Sequence, residues 1–130
     1  MPRILIVDDS TTAVALFQVF LVGQDSELFV ARDGAEALEI ARSVRPDVIL
    51  TDIEMPRMDG YELCAAIRRD PALRHVPVVL LTSHGDPASR RLGQQAGASA
   101  FLTKPASPGV VRSTVRELLR LGADASAMGA

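Results

Sequence analysis

The chain has 130 residues, is 48% hydrophobic and 23% charged, and carries a formal net charge of −2. That length suits one domain with a substantial core, and the near-neutral balance gives no electrostatic footprint for nucleic acid or an anionic membrane. A single cysteine, Cys64, excludes an internal disulfide framework and a cysteine-based zinc site.

Met1-Pro2-Arg3 runs directly into a strand pattern, so no signal peptide is expected. No apolar run approaches the length that crosses a bilayer, and the expected location is the reducing cytoplasm. The β-branched run Ile4-Leu5-Ile6-Val7 reads as a first strand and ends in Asp8-Asp9. A helical stretch follows over roughly 11–22. A weaker strand, Glu27 to Ala31, precedes Asp33-Gly34 and a helix over 35–44. Val48-Ile49-Leu50-Thr51 is a third strand and ends in Asp52. Next comes a turn-rich loop, Met55-Pro56 to Asp59-Gly60, in which Asp-Gly readily takes positive φ. A helix over 61–69 leads to Val78-Val79-Leu80-Leu81, which ends in Thr82. Cys64 lies among Leu63, Ala65, Ala66 and Ile67 and reads as a small core residue. A helix over 87–96 leads to Ala100-Phe101-Leu102-Thr103, ending in Lys104-Pro105, and a last helix covers 108–121. Residues 122–130 are small and polar and read as a short flexible tail or the start of a linker, leaving 1–121 as the domain.

Continuous apolar runs of this length fit strands buried on both faces. Strands alternating with helices imply right-handed βαβ units and an α/β fold with a doubly wound parallel sheet between two helical layers. The working crevice of such a sheet lies beyond the carboxyl ends of its strands. The polar residues expected there are Asp8, Asp9, Asp52, Thr82 and Lys104.

Lys104 is the only lysine beside thirteen arginines. Lysine differs from arginine in offering a compact point charge with three donors on a flexible stem, which suits a phosphoryl oxygen in a tight pocket. Three carboxylates brought together repel one another unless a cation sits among them, and hard oxygen ligands without His or Cys favour Mg²⁺ (or Mn²⁺) over zinc. Asp8-Asp9-Ser10 serves equally as a helix N-cap, and the sequence leaves both readings open. A carboxylate can also attack a phosphoryl group. Asp52 fits that role if magnesium and Lys104 offset the repulsion between anions while Thr82 donates to another phosphoryl oxygen. Thr82 is otherwise an ordinary strand residue that caps the next helix.

These residues resemble the receiver domain of two-component response regulators, of the single-domain, chemotaxis type. The resemblance is carried by Ile6 to Ser10, Ala31 to Leu38, Pro46 to Leu63, Pro77 to Thr82 and Gly97 to Pro105, within a span from residue 4 to about 120. It implies a flavodoxin-like, five-stranded sheet in the order 2-1-3-4-5. It also implies a phosphoprotein that forms an aspartyl phosphate at Asp52 and promotes only its own phosphorylation and dephosphorylation. Asp8, Asp9, Asp52 and the backbone carbonyl of Glu54 are the implied metal ligands, with Asp9 more direct than Asp8. Thr82 and Phe101 are the implied switch residues, and the Lys104–Pro105 bond is similar to one the family commonly holds cis. The implied donor is a histidine kinase or histidine phosphotransfer protein. Phosphorylation would then switch the surface of the fourth helix, fifth strand and fifth helix to control a downstream protein. Neither nucleic acid nor membrane is an expected partner, and the expected state is a monomer or weak dimer.

Some features are peculiar to this chain. The first helix has one polar residue, Gln18, between Ala13 and Val22. Either it is tightly covered or it presents a docking face for the phosphodonor. Arg112, Arg116 and Arg120 recur every fourth residue on the last helix, as a solvated stripe or a surface for an acidic partner. Glu54 and His84 each lie two residues beyond a site residue, either as ordinary exposed loop side chains or as a pair facing each other over the site that controls water access and the lifetime of the phosphoryl group. His75, before Pro77, reads as a surface residue.

Three competing readings are an aspartate-nucleophile phosphohydrolase, a phosphorylation-independent receiver-like scaffold and a dinucleotide-binding domain. Aspartate-nucleophile hydrolases place the nucleophile after the first strand and carry a cap domain, for which this chain is too short. A dinucleotide site lacks its G-x-G-x-x-G after the first strand.

Overall fold

The structure is a computed structural model that describes residues 1–21 and 25–129, the side chains as far as residue 122. Five strands, β1 (Arg3–Val7), β2 (Glu27–Ala31), β3 (Val48–Asp52), β4 (Val78–Thr82) and β5 (Ala100–Thr103), form one parallel sheet in the order β2-β1-β3-β4-β5. Five helices alternate with them: α1 (Thr11–Phe20), α2 (Gly34–Val44), α3 (Gly60–Arg69), α4 (Pro87–Ala96) and α5 (Pro108–Gly129). This is the doubly wound architecture and strand order expected from the sequence.

Side chains alternate across a strand, so each apolar run feeds two cores. Leu5, Val7, Ile49, Val78 and Leu80 point to the face covered by α2 and α3, where Ala37, Ala41, Leu63, Cys64 and Ile67 meet them. Ile4, Ile6, Val48, Leu50, Val79 and Leu81 point to the opposite face, against Phe17 of α1 and Val111 and Val115 of α5. Cys64 is a buried free thiol in the first of these cores.

Helix starts follow from local caps. Ser10, Asp33, Asp59 and Asp86 each accept a backbone N–H from the first turn of α1, α2, α3 and α4. Asp59 and Glu62 close a reciprocal capping box on α3.

Two helix ends differ from the sequence reading. Within the described residues α1 ends at Phe20, with Leu21 as its cap; Val22, the last residue of the expected helix, lies outside them. α5 runs to Gly129 rather than 121, so the backbone of 122–129 is helical. Ala123, Ala125 and Ala127 have the highest helix propensity of any residue and suit this continuation past Gly122.

α1 is not covered all round. Phe17 is buried and stacks edge-on against Phe20 at 5.9 Å, but Leu16 and Val19 are 50% and 67% exposed. The arginine stripe also divides. Arg112 donates to the Phe20 carbonyl at 3.4 Å and ties α5 to α1, whereas Arg120 pairs with Glu117 at 2.6 Å on α5 itself.

Candidate functional site at the carboxyl ends of the strands

β1, β3, β4 and β5 deliver Asp8, Asp52, Thr82 and Lys104 to one edge of the sheet. Main-chain pairing continues past the strand ends and holds these positions. Asp8 N–H donates to Ala31 O at 3.1 Å, Ile53 N–H to Leu81 O at 3.0 Å, and Lys104 N–H to Thr82 O at 2.7 Å. The Lys104–Pro105 peptide bond is cis. After β3 the chain folds back, and Gly60 N–H donates to Ile53 O at 2.9 Å. A Cβ at Gly60 would lie 2.6 Å from the Asp52 carbonyl oxygen, so this close return requires glycine.

Carboxylate oxygens of Asp8, Asp9 and Asp52 lie within 4.8 Å of one another. Lys104 Nζ donates to Asp52 Oδ1 at 2.9 Å and stands 3.6 Å from Asp8 Oδ2. Asp8 and Asp52 are buried, whereas Asp9 is exposed at the rim. Asp8 Oδ1 accepts from Ser10 N–H at 2.9 Å, but the buried Oδ2 has no hydrogen-bond partner among the described residues. Capping does not account for these acids, because Ser10 caps α1. Nor is Thr82 a cap, since Asp86 starts α4.

The electrostatics have one sense. Burial pushes the Asp52 carboxyl up to about 6, against the pull of Lys104, with the charges of Asp8 and Glu54 adding to the rise. Burial works to lower the Lys104 ammonium value, but the hydrogen bond and charge of Asp52, with Asp8, outweigh it and leave it raised. The site holds more negative charge than its lysine neutralises and therefore favours an added proton or cation. A buried carboxylate oxygen without a hydrogen bond, among hard oxygen donors, fits a hydrated magnesium ion.

Around this centre lie the expected switch and access residues. The Thr82 hydroxyl donates to Glu54 Oε1 and accepts from His84 N–H at 3.0 Å. His84 Nε2 stands 3.8 Å from the same Glu54 oxygen, with both side chains largely exposed. Partial burial raises the Glu54 carboxyl, but hydrogen bonding, first from Thr82, reverses this and leaves it lowered. Phe101 is half-buried on β5, its ring 5.1 Å from the Arg90 guanidinium carbon. His75 lies away from the site, in the exposed loop before β4.

Arg90 and Gly93 of α4 lie against the Phe101 ring, and their spacing alone does not single them out. The one signal is a glycine inside a helical pattern, which costs about 1 kcal/mol against alanine.

A parallel sheet in this order, with acids and a lysine converging at its carboxyl edge, defines the class of CheY-like α/β proteins. Residues 4–116 match the response regulator receiver domain family, and the chain belongs to that family. Among solved structures, the chemotaxis protein CheY4 of Vibrio cholerae is 33% identical with a TM-score of 0.85, over 91% of this chain and 98% of that one. The signal receiver domain of a signal transduction histidine kinase from Syntrophus aciditrophicus is 38% identical with a TM-score of 0.86, over 92% and 91%. Among curated relatives, response regulator PleD of Caulobacter vibrioides is 42% identical over 118 residues, 91% of this chain and 26% of that protein. Alkaline phosphatase synthesis transcriptional regulatory protein PhoP of Bacillus subtilis is 36% identical over 91% of this chain and 48% of its own length. The chain thus spans between a quarter and a half of these two curated relatives.

Proposed function

We propose that this receiver domain accepts a phosphoryl group on Asp52 from a phosphohistidine donor and passes the event to its α4-β5-α5 surface. The observation that carries this reading is the buried Asp8 Oδ2, without a hydrogen bond among the described residues, sharing one lysine with Asp52. Such an arrangement is costly in isolation and is relieved by a cation.

Asp8, Asp9, Asp52 and the Glu54 backbone carbonyl would hold the metal, Mg²⁺ or Mn²⁺, which supplies charge neutralisation at the phosphoryl oxygens. An Asp52 carboxylate oxygen attacks phosphorus, the phosphorus–nitrogen bond breaks, and the imidazole of the donor leaves with the electron pair. Lys104 is near enough to turn from Asp52 to a phosphoryl oxygen, and Thr82 donates to another. Glu54 and His84, facing each other over the site, limit water access and so set the lifetime of the aspartyl phosphate. The new charge biases an existing two-state equilibrium, in which Thr82 moves toward the phosphoryl group and Phe101 turns inward. The domain is therefore a switch rather than an enzyme acting on a separate substrate, with the receiver unit placed at 1–121.

The phosphodonor docks on α1. A groove of about 390 Å³ lies between α1 and the chain after β5, lined by Leu16, Phe17, Phe20, Pro105 and Ala106, and Lys104 also lines it. Continuity with Lys104 places an occupant within reach of Asp52, which favours the kinase or phosphotransfer protein over an unrelated partner. No helix among the described residues is long and apolar enough to cross a membrane, and a cytoplasmic location suits the free Cys64.

Incubation with acetyl phosphate and Mg²⁺, followed by intact mass, tests the central assignment. One phosphate adduct in the wild type and none in Asp52→Asn is the expected result. An adduct that persists in Asp52→Asn overturns it, and steady turnover of a small phosphoester would favour the phosphohydrolase reading.

A further inference from the structure

The Thr82 hydroxyl has one proton to donate, and in this structure that proton goes to Glu54 Oε1. Its oxygen accepts from His84 N–H at 3.0 Å. Thr82 is 1% exposed, so its hydroxyl is withdrawn from bulk water and depends on these partners. The Glu54 carboxylate reaches in from the β3–α3 loop, with His84 Nε2 on its outer side at 3.8 Å.

We propose that Glu54 is a positioning residue that holds the Thr82 hydroxyl in the resting state and competes with the phosphoryl group for its single proton. The inference rests on Asp52 being the phosphoacceptor. It goes beyond water access, because it makes Glu54 a determinant of the switching equilibrium itself. A hydroxyl bonded to a carboxylate is held by a charge-assisted bond. Thr82 can donate to a phosphoryl oxygen only after leaving Glu54, so every activation event breaks this bond. A ligand shifts a two-state equilibrium only by its differential affinity for the two states. The Glu54 bond stabilises the state in which Thr82 is turned away, so it lowers the population that binds a phosphoryl group well and weakens the apparent affinity.

Glu54 also brings negative charge near an anionic ligand, and the test separates this effect from the hydroxyl contact. Beryllofluoride with Mg²⁺, a phosphoryl mimic, is titrated into the full chain and into Glu54→Ala, Glu54→Gln, Thr82→Ala and the Glu54→Ala, Thr82→Ala pair. Glu54→Ala is expected to bind the mimic about 10-fold more tightly, the low end for a hydrogen bond to a charged group, because the half-exposed carboxylate regains water when the bond breaks. Glu54→Gln, which keeps an acceptor, is expected to fall between Glu54→Ala and the wild type. The gain from Glu54→Ala is expected to vanish in the Thr82→Ala background. A gain that survives there reports charge repulsion alone and overturns the proposal, as does no gain at all. The Thr82 methyl resonance gives a second readout without the mimic, and Glu54→Ala alone is expected to move it toward its mimic-bound position. An unmoved resonance overturns the proposal even if Thr82→Ala fails to fold. Failure of the parent reading looks different, since the wild type would then form no Asp52-dependent acetyl phosphate adduct.

Discussion

The guanidinium carbon of Arg90 lies 5.1 Å from the centroid of the Phe101 ring. The same side chain donates from Nε to Gly85 O at 3.2 Å and from Nη2 to Thr103 Oγ1 at 3.3 Å. One turn later Gly93 leaves space for the ring, since a Cβ there would stand 2.9 Å from Phe101 Cδ2. Residues three apart share a helix face, so α4 builds a seat for Phe101 from one cation and one missing side chain.

Removing the cation should loosen that seat. An exposed cation–π contact contributes about 0.5–1 kcal/mol, so Arg90→Ala is expected to tighten beryllofluoride binding about two- to fivefold. Tyr61 gives the readout. It is the only tyrosine, there is no tryptophan, and its hydroxyl donates to Ser89 O of α4 at 3.1 Å. A titration followed by Tyr61 emission therefore reports α4 directly, and unchanged or weaker binding would show that Arg90 does not hold Phe101.

The raised Asp52 carboxyl makes stability depend on pH. Its folded value of about 6 exceeds the ordinary 3.8, so the native state binds more protons than the unfolded chain between these values. Metal-free stability therefore falls as pH rises through that window, and the cost is fully present above it. A gap of about 2 pKa units corresponds to about 3 kcal/mol. Asp52→Asn is neutral throughout, so thermal melts in chelator should show a flatter pH profile and a gain of about 1–3 kcal/mol near neutrality. Added magnesium should narrow the difference by stabilising the wild type. Parallel profiles for the two proteins would contradict this account.

Gly60→Ala tests how tightly the loop after β3 holds the acceptor. Its new Cβ would meet the Asp52 carbonyl oxygen at 2.6 Å and Ile53 Cα at 2.8 Å. Both neighbours are backbone and yield little, so a loss of about 1–3 kcal/mol is expected, as for other overpacked sites. Acetyl phosphate labelling should slow at the same time, because relief of the clash shifts Asp52. Unchanged melting and labelling would show that the loop gives way without cost.

On α1, Leu16→Glu and Val19→Glu should leave the fold intact, since exposed substitutions generally stay within about 0.5 kcal/mol. Labelling by acetyl phosphate should persist while transfer from a phosphohistidine protein is lost. Equal loss with both donors would place the damage in the pocket, and no loss with either would remove α1 as the docking face.

Much of the fold was legible because each strand is a short apolar run ending in a polar residue. The central strands β1, β3 and β4 are buried on both faces, as a sheet between two helical layers allows, while the edge strands β2 and β5 are only partly covered. The site was legible for a related reason: a doubly wound sheet brings the carboxyl ends of its strands to one edge. Asp8, Asp52, Thr82 and Lys104 are therefore neighbours by topology, although β1 and β5 are far apart in the chain. The continuation of α5 to Gly129 was less legible, because the small residues after Gly122 suit either a helix or a loose tail.

Partner choice belonged to the tertiary structure alone. Spacing could say that Ser10 and Asp8 were both candidate caps, but only the folded chain assigns the cap to Ser10 and leaves Asp8 Oδ2 buried beside Lys104 with no hydrogen bond among the described residues. Likewise Thr82 turns to Glu54, Arg90 to Phe101 and Arg112 to the Phe20 carbonyl. Apolar periodicity specifies which faces are buried, because burial depends on area and little on direction. Hydrogen bonds and ion pairs act over a few ångströms at defined angles, so their partners are settled only when distant segments have packed.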